Sequence, residues 1–369
     1  PFNAKDARVS MQKLYNLAYF EDVNLKLLPG KQPGGTVLEV SVVEQKTGTF
    51  SIGGGYSASD GLIGIITVGD KNFRGRGDDV SVHWEFGGKA STAGNYSINF
   101  RRPWLDRKQT SFAFSFYNMI NEYTDYNSQG DELSTYDRRY RGFDFTFGRP
   151  VNDKISHFIT FKNRWDEYNG WVSGVNYETD SKYGPQYIKD NFGLTRSIIV
   201  SRVLDTRDSN TNPSEGARYS LSGEFAGLGG DFSFNKYTTE GRRYWKVGKS
   251  QVVALRATYG YGTGHIPEMQ KYMAGGIDTL RGYRDDQFKG NRLFTTAAEY
   301  RFPVAKRVMA ALFTDIGNAW ESDNLDFIKD LKVGYGMGIR VVTPFGPIRI
   351  DYGIGDQGGR THFSFGGQF

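Results

Sequence analysis

QTSFAFSFYNMI, residues 109–120, decides the fold: Phe112, Phe114 and Phe116 face one way and Ser111, Ala113 and Ser115 the other, the period-two alternation of an extended strand. One face is aromatic, the other small and polar. The pattern recurs in YSINF (96–100), FDFTF (143–147), YSLSGEF (219–225), VVALRATYGYG (252–262) and THFSFGGQF (361–369). Many of these runs continue for about 10 to 14 residues before a turn, whereas strands of soluble sandwiches have about 5 or 6.

Working outward from that segment gives sixteen candidate strands: 48–59, 62–72, 78–88, 94–104, 109–122, 137–150, 153–168, 190–207, 216–227, 234–247, 250–262, 291–304, 306–320, 330–344, 346–355 and 360–369. Outer-membrane barrels have an even number of strands, each needing about 9 to 11 residues to cross the apolar layer and each presenting one lipid face and one polar face. Lipid offers no partner for an open backbone edge, so a sheet of this size is expected to close on itself. The connections alternate in kind. Residues 59–61, 105–107, 150–153 and 344–346 read as tight turns, while 123–136 and 169–190 read as long polar loops, the asymmetry of a membrane barrel.

Composition excludes several other classes. Gly 47, Phe 27, Tyr 23 and Trp 6 in 369 residues, with 38% hydrophobic, provide the glycines and aromatics of a sheet protein, and no run of about 20 apolar residues exists to form a spanning helix. A formal charge of +5 spread along the chain, with no basic run or zinc-finger spacing, argues against a nucleic-acid partner. With Cys 0 there is no disulfide framework, thiolate chemistry or cysteine metal site. The opening Pro1-Phe2-Asn3 runs straight into a charged amphipathic stretch, as in a cytoplasmic chain or a mature or shortened exported one.

Residues 6–20 place Ala7, Met11, Leu14 and Ala18 on one helical face, and 23–29 and 36–44 alternate at period two around the turn-rich GKQPGG. The expectation is a small α+β module over 1–46, too short to bury much surface alone, whose beginning lies upstream of Pro1. The barrel then occupies 47–369.

The longest connection, 263–290, joins two regular strands, and a loop of that length is usually functional. It contains GGIDTLRGYRDDQFKG (275–290), in which glycines permit close backbone approach. Arg281 either forks into the barrel or stays exposed on a surface loop. Alternation puts Phe313, Asp315 and Gly317 on one face, and Asp315 is too costly for the lipid side, so it and Glu299 are the acids Arg281 can reach inside.

Other motifs read as structure. LDTRDSNTNPSEG (204–216) carries Asp205, Arg207, Asp208, Pro213 and Gly216, a set suited to an internally fixed turn without chemistry. His83, His157, His265 and His362 are isolated wall, loop or girdle residues without metal-ligand spacing. GGGY (53–56) and RGRG (74–77) lack a Walker lysine, and Ser222-Gly223-Glu224 forms no nucleophile elbow.

Taken in order, GG followed by LRGY (275–283), FTDIG (313–317), DTRD with Pro213 and Gly216, and GPIRIDYG (346–353) ahead of an aromatic terminal Phe369 resemble the Omp85 superfamily, and within it the outer-membrane barrel-assembly branch. The resemblance covers nearly the whole chain. It implies an all-β membrane protein: a sixteen-stranded antiparallel transmembrane β-barrel, preceded over 1–46 by the last part of a periplasmic POTRA domain. Its lumenal loop signature maps to Gly275, Gly276, Arg281, Gly282 and Tyr283, with Leu280 where a valine is frequent, and its wall anchor to Asp315, with Glu299 as the second candidate.

The implied activity is folding and insertion of nascent β-barrel proteins into the bacterial outer membrane, with no enzymatic step, ATP or metal. The implied partners are those substrates, lipid or lipopolysaccharide, and periplasmic accessory lipoproteins or chaperones. A weakly sealed seam is implied between the first and last strands, where Gly53, Gly54 and Gly55 on one side and Gly366, Gly367 and Phe369 on the other weaken packing. A two-partner secretion or autotransporter-assembly relative, or a passive porin, are the alternatives.

Overall fold

The computed structural model describes residues 19–31, 35–57, 61–88, 95–127, 130–209, 212–321, 330–343 and 346–365, with positions 3, 7, 10, 11, 14 and 17 ahead of them. Of the leading module, Ala7, Ser10, Met11 and Leu14 are helical, and β1 (Phe20–Pro29) pairs with β2 (Thr36–Glu44) in an antiparallel hairpin.

Eleven strands follow: β3 (Gly48–Ser57), β4 (Gly61–Phe73), β5 (Asp78–Gly87), β6 (Asn95–Arg102), β7 (Ser111–Tyr126), β8 (Glu132–Pro150), β9 (Ile155–Gly174), β10 (Gly193–Asp205), β11 (Gly216–Ala226), β12 (Phe234–Val247) and β13 (Gln251–Gly264). A long loop carries the small hairpin β14 (Tyr272–Ala274) and β15 (Phe288–Gly290). The wall then resumes with β16 (Arg292–Ala305), β17 (Val308–Trp320), β18 (Lys332–Thr343), β19 (Gly346–Gly355) and β20 (Gly358–Phe365). Apart from β14 and β15, the strands from β3 onward form one sixteen-stranded antiparallel sheet in sequence order, at the sixteen places the alternation indicates.

Outward residues form the apolar belt. Phe112, Phe114 and Phe116 lie opposite Phe147, Phe145 and Phe143 across β7 and β8, with ring centroids 5.1 Å apart for both Phe112–Phe147 and Phe114–Phe145. Leu221, Leu312 and Met337 remain at least half exposed, which in water would be an aggregation surface and in lipid is the solvated face. Among the described residues no helix is long and apolar enough to cross a membrane.

The sheet curls until Cα atoms of β20 and β3 come within 8 Å, yet among the described residues no backbone pairing joins them. The closure expected from the alternation is therefore not what the described strands show: β3 and β20 lie side by side with no backbone ladder between them, and the sheet is not closed by hydrogen bonding.

Three loop readings need correction. Residues 123–136 are mostly strand, because β7 and β8 run on to a connection of only 127–131; above the lipid the outward positions meet water, so apolar alternation ceases while pairing continues. Within 169–190, β9 extends to Gly174 and a short helix, α1 (Gly184–Asn191), starts with Pro185 in its first turn, where a missing N–H costs nothing. The 59–61 turn does not share an end with the other tight turns: strand parity puts the β3–β4 connection at the end of the long loops. Direction of the chain, not loop length, sets the end.

Candidate functional site

Strand alternation lines the lumen beneath the long loop. On β16, Ala297, Glu299 and Arg301 are buried while Ala298 and Tyr300 are exposed; on β17, Ala311, Phe313, Asp315 and Gly317 are buried while Leu312 and Thr314 are exposed. β18 gives Gly334, Gly336, Gly338 and Arg340 to the interior, and β19 gives Arg349, Asp351 and Gly353. Register places Asp315 against Gly334 and Gly338 against Asp351, so side chains of three strands converge beside a glycine track.

Arg281 is 1% exposed and reaches into this convergence. Its Nε and Nη2 donate to the two oxygens of Asp315, each at 2.7 Å, and its own backbone N–H donates to Asp315 Oδ2 at 2.9 Å. Nη1 donates to Glu299 Oε2 at 2.7 Å and Asp351 Oδ2 at 3.2 Å, and the guanidinium lies over the Phe313 ring. Both acids proposed from sequence are therefore in contact, Asp315 through the planar two-point geometry that only arginine supplies.

The acids are shared. Glu299 also accepts from Arg301 Nε at 2.7 Å and Arg340 Nη2 at 2.9 Å, and Asp351 from Arg349 Nε at 2.9 Å and from Arg340. Arg349 Nη2 returns to the loop, donating to the Ile277 carbonyl at 2.7 Å. Asp315, by contrast, is hydrogen-bonded by Arg281 alone among the described residues. Four guanidinia against three buried carboxylates offset the desolvation that an isolated buried charge would suffer.

The loop backbone is held equally closely. The Gly282 N–H donates to His362 Nε2 at 3.0 Å, and Tyr283 Oη donates to the Val333 carbonyl at 3.0 Å. Gly282 has φ +95°, and a Cβ there would stand 2.7 Å from the Gly355 nitrogen; a Cβ on Gly334 would stand 1.9 Å from the Arg281 carbonyl oxygen. Both positions need glycine, one for conformation and clearance, the other for clearance. Gly275 and Gly276 start the tight turn, where Thr279 Oγ1 accepts from the Gly275 N–H at 2.8 Å and donates to its carbonyl at 2.6 Å.

At its other end the loop joins a tyrosine cluster over the barrel mouth. Asp125 accepts from Tyr177 Oη at 3.0 Å and Tyr187 Oη at 3.2 Å and pairs with Lys289 of β15. Burial works against the Lys289 charge, but Tyr123 and Asp125 outweigh it and hold the ammonium above its ordinary range. Tyr136, Tyr177, Phe192 and Met269 pack together beside it.

Asp205, Arg207, Asp208, Pro213 and Gly216 sit at the opposite end, in the β10–β11 connection. Arg207 donates to both Asp205 oxygens, at 2.9 and 2.7 Å, while Asp208 accepts from the Ser214 N–H at 2.9 Å and from Ser214 Oγ at 2.5 Å. Gly216 takes φ +95°. Of the seam residues, Gly53, Gly54 and Gly55 lie on β3 opposite Ile65, Gly64 and Ile63 of β4, whereas Gly366, Gly367 and Phe369 fall outside the described residues.

Asp351, Arg340, Arg349 and Arg301 complete the cluster and were not singled out from sequence, while His362, read there as an isolated wall, loop or girdle residue, is the wall residue that accepts from the Gly282 N–H. The signal was present: Arg349-Ile350-Asp351 and Glu299-Tyr300-Arg301 alternate charge with outward apolar residues, and a charge at a lumenal parity implies a partner.

A sixteen-stranded membrane barrel with a long loop bolted by one buried arginine to three wall strands is a distinct class of barrel. The family model described as the Omp85 superfamily domain matches residues 72–369, and the chain belongs to that superfamily. It is 27% identical to outer membrane protein assembly factor BamA of Nitratidesulfovibrio vulgaris, over 100% of this chain and 46% of that protein. It is also 26% identical to the chloroplastic outer envelope protein 80 of Arabidopsis thaliana, over 95% and 50%. The chain thus spans about half the length of these curated relatives.

Among solved structures, BamA from Haemophilus ducreyi lacking POTRA domains 1–3 superposes with a TM-score of 0.70 at 17% identity, covering 97% of this chain and 76% of that one. CdiB from Escherichia coli gives 0.70 at 13% identity, covering 98% and 69%. These two share the fold.

Proposed function

We propose that the chain is the membrane-embedded part of an outer-membrane factor that folds and inserts nascent β-barrel proteins through the seam between β3 and β20. The observation that carries this reading is the pair of wall strands that face each other without backbone pairing among the described residues. Over those residues each is hydrogen-bonded on one side only, β3 to β4 and β20 to β19, so its other edge offers N–H and C=O groups to an incoming strand. The assembly-factor names of relatives along the full length of this chain support the same function. Gly53, Gly54 and Gly55 supply an edge with little side-chain packing, and Gly366, Gly367 and Phe369 are assigned to the facing edge by the same reading.

Arg281 is the anchor of the lumenal loop, with Asp315 its main partner and Glu299 and Asp351 shared ones. Tethering the loop to β16, β17 and β19 leaves the β20 side held chiefly through His362, so the seam can open without dismantling the wall. Residues 1–46 are the closing part of a periplasmic POTRA domain, through which accessory lipoproteins or chaperones engage. A two-partner secretion relative of the same superfamily is the second reading, and the fold alone does not separate the two.

The test is a seam lock. Cysteines placed on a facing pair of β3 and β20 with Cα atoms within about 7 Å form a disulfide that no native cysteine can complicate. In the full-length protein, oxidation should stop barrel insertion into liposomes and reduction should restore it. Undiminished insertion at complete cross-linking refutes the mechanism, and a chain that exports a dedicated soluble substrate but inserts no barrels supports the secretion reading instead.

A further inference from the structure

The inward face of β13 reads glycine where it meets the loop. Tyr259 and Tyr261 point outward, while Gly260 and Gly262 on the alternate positions are buried. A glycine inside a strand gives up side-chain packing and marks a close approach, and here the approaching groups belong to the loop. A Cβ on Gly260 would stand 2.6 Å from the Tyr272 ring, and one on Gly262 would collide with Ile266. The outgoing arm of the loop, 265–274, thus lies on a glycine track of its own, as the Arg281 arm, 275–283, lies on Gly334 and Gly353.

Gln270, 6% exposed, is the polar centre of the outgoing arm. Its Oε1 accepts from Lys162 Nζ at 3.0 Å, its Nε2 donates to Thr195 Oγ1 at 2.5 Å, and its carbonyl accepts from Lys236 Nζ at 2.5 Å. Tyr272 Oη donates to the Tyr237 carbonyl at 2.8 Å, and Lys236 Nζ stands 4.6 Å from the centre of the Tyr272 ring. Both ends of one buried amide are therefore matched, to β9 and to β10, while β12 supplies the rest.

These partners stand on β9, β10 and β12, those of Arg281 on β16, β17 and β19, and the two sets have no residue in common. The nearest strands of the two sets, β12 and β16, flank β13, two strand spacings or about 10 Å apart. At that separation, and without a shared partner, the two anchors contribute about additively. Between them Gly275 and Gly276 take φ +128° and +84°, conformations that glycine adopts without strain. Tyr272 and Ala274 on one arm and Leu280 and Tyr283 on the other are buried, so the loop fills the lumen between these two sectors of wall.

We propose that Gln270 and Tyr272 are positioning residues that seat the outgoing arm on β9–β13 independently of Arg281, so that the lumen stays blocked when the Arg281 arm swings away about Gly275 and Gly276. The inference rests on the barrel fold and not on insertion activity.

The test uses this chain in nanodiscs for hydrogen exchange and in planar bilayers for conductance, with folding checked by heat-modifiable gel migration. The amides of residues 268 and 270, which donate to Asn191 Oδ1 at 3.0 Å and to the Pro267 carbonyl at 2.8 Å, report the outgoing arm, and those of 281 and 282 report the other. Q270L/Y272F should raise exchange at 268 and 270 by about ten-fold, as expected for losing buried hydrogen bonds, and leave 281 and 282 at the unaltered rate. R281A should loosen 281 and 282 only. Gly260→Ala, which removes no hydrogen-bonding side chain, should act as Q270L/Y272F does by lifting the Tyr272 ring. Conductance should stay closed in R281A and open when Q270L/Y272F is added to it.

Equal loosening of both arms by R281A, loosening of 281 and 282 by Q270L/Y272F, or an unmoved outgoing arm in Gly260→Ala each overturns the proposal. So does R281A conducting as freely as the combined variant, or a combined variant that folds and stays closed. The exchange comparison in R281A decides between one anchor and two even where the combined variant does not fold. Absence of a heat-modifiable barrel in the unaltered chain instead overturns the fold reading beneath it.

Discussion

Replacing Arg281 with alanine isolates one link of the site, because its three acidic partners are not equally dependent on it. Glu299 keeps Arg301 and Arg340, and Asp351 keeps Arg340 and Arg349, all within 3.2 Å. Only Asp315, 1% exposed, loses every hydrogen bond to a guanidinium. Leaving one buried charge uncompensated costs about 3–5 kcal/mol. The loop rather than the sheet bears that cost, since the sixteen-stranded ladder does not include residues 275–290.

At about 1.4 kcal/mol per ten-fold, loop-opening equilibria in R281A should shift by about two to four orders of magnitude. Hydrogen exchange at the amides of residues 281 and 282, whose partners are Asp315 and His362, reads this directly in the reconstituted barrel. D315A should loosen the same amides, and the R281A/D315A double should fall short of the sum by about 1–3 kcal/mol because the orphaned charge is gone. Unchanged exchange in R281A, or strictly additive effects, refutes the idea that this pair holds the loop.

Gly334→Ala drives a Cβ to 1.9 Å from the Arg281 carbonyl oxygen, so it should free the loop as R281A does while β17–β18 amides stay protected, checked in the same exchange map. Asp125→Leu leaves buried Lys289 with Glu268, 3.8 Å away, as its remaining carboxylate among the described residues and removes the acceptor of Tyr177 and Tyr187; cleavage of the 175–191 segment by a protease should accelerate at least ten-fold, which a loss of about 1.4 kcal/mol gives. Asp208 titrates below the ordinary carboxylate range because, although burial raises it, the Ser214 and Glu215 hydrogen bonds win. Its contribution is therefore fully present above the unfolded value of about 3.9 and is lost as pH falls through the lower folded value, so exchange at residues 214 and 215 should rise only under strong acid. A Ser214→Ala variant should move that rise to higher pH.

Alternation in segments such as 109–120 and 361–365 determined the number of strands, their faces and the membrane solvent, because period-two patterning against lipid is a local property of sequence. The lumenal parity of Asp315 was equally legible, for a carboxylate facing acyl chains is excluded by its solvation energy alone. Local pattern also contained Glu299, Arg301, Arg349 and Asp351, but not which of them would meet. That required the sheet to curl, the register to set Gly334 against Asp315, and a loop to pass within reach of both.

Loop lengths misled for the same reason: alternation reports the solvent on each face, so it fell silent where β7 and β8 left the lipid although the backbone pairing continued. The apposition of β3 and β20, unpaired over the described residues, lies beyond any single strand's pattern, since an edge is defined by the neighbour it lacks. Solvation of individual side chains is written residue by residue, whereas pairing across a curved wall depends on the position of every strand between.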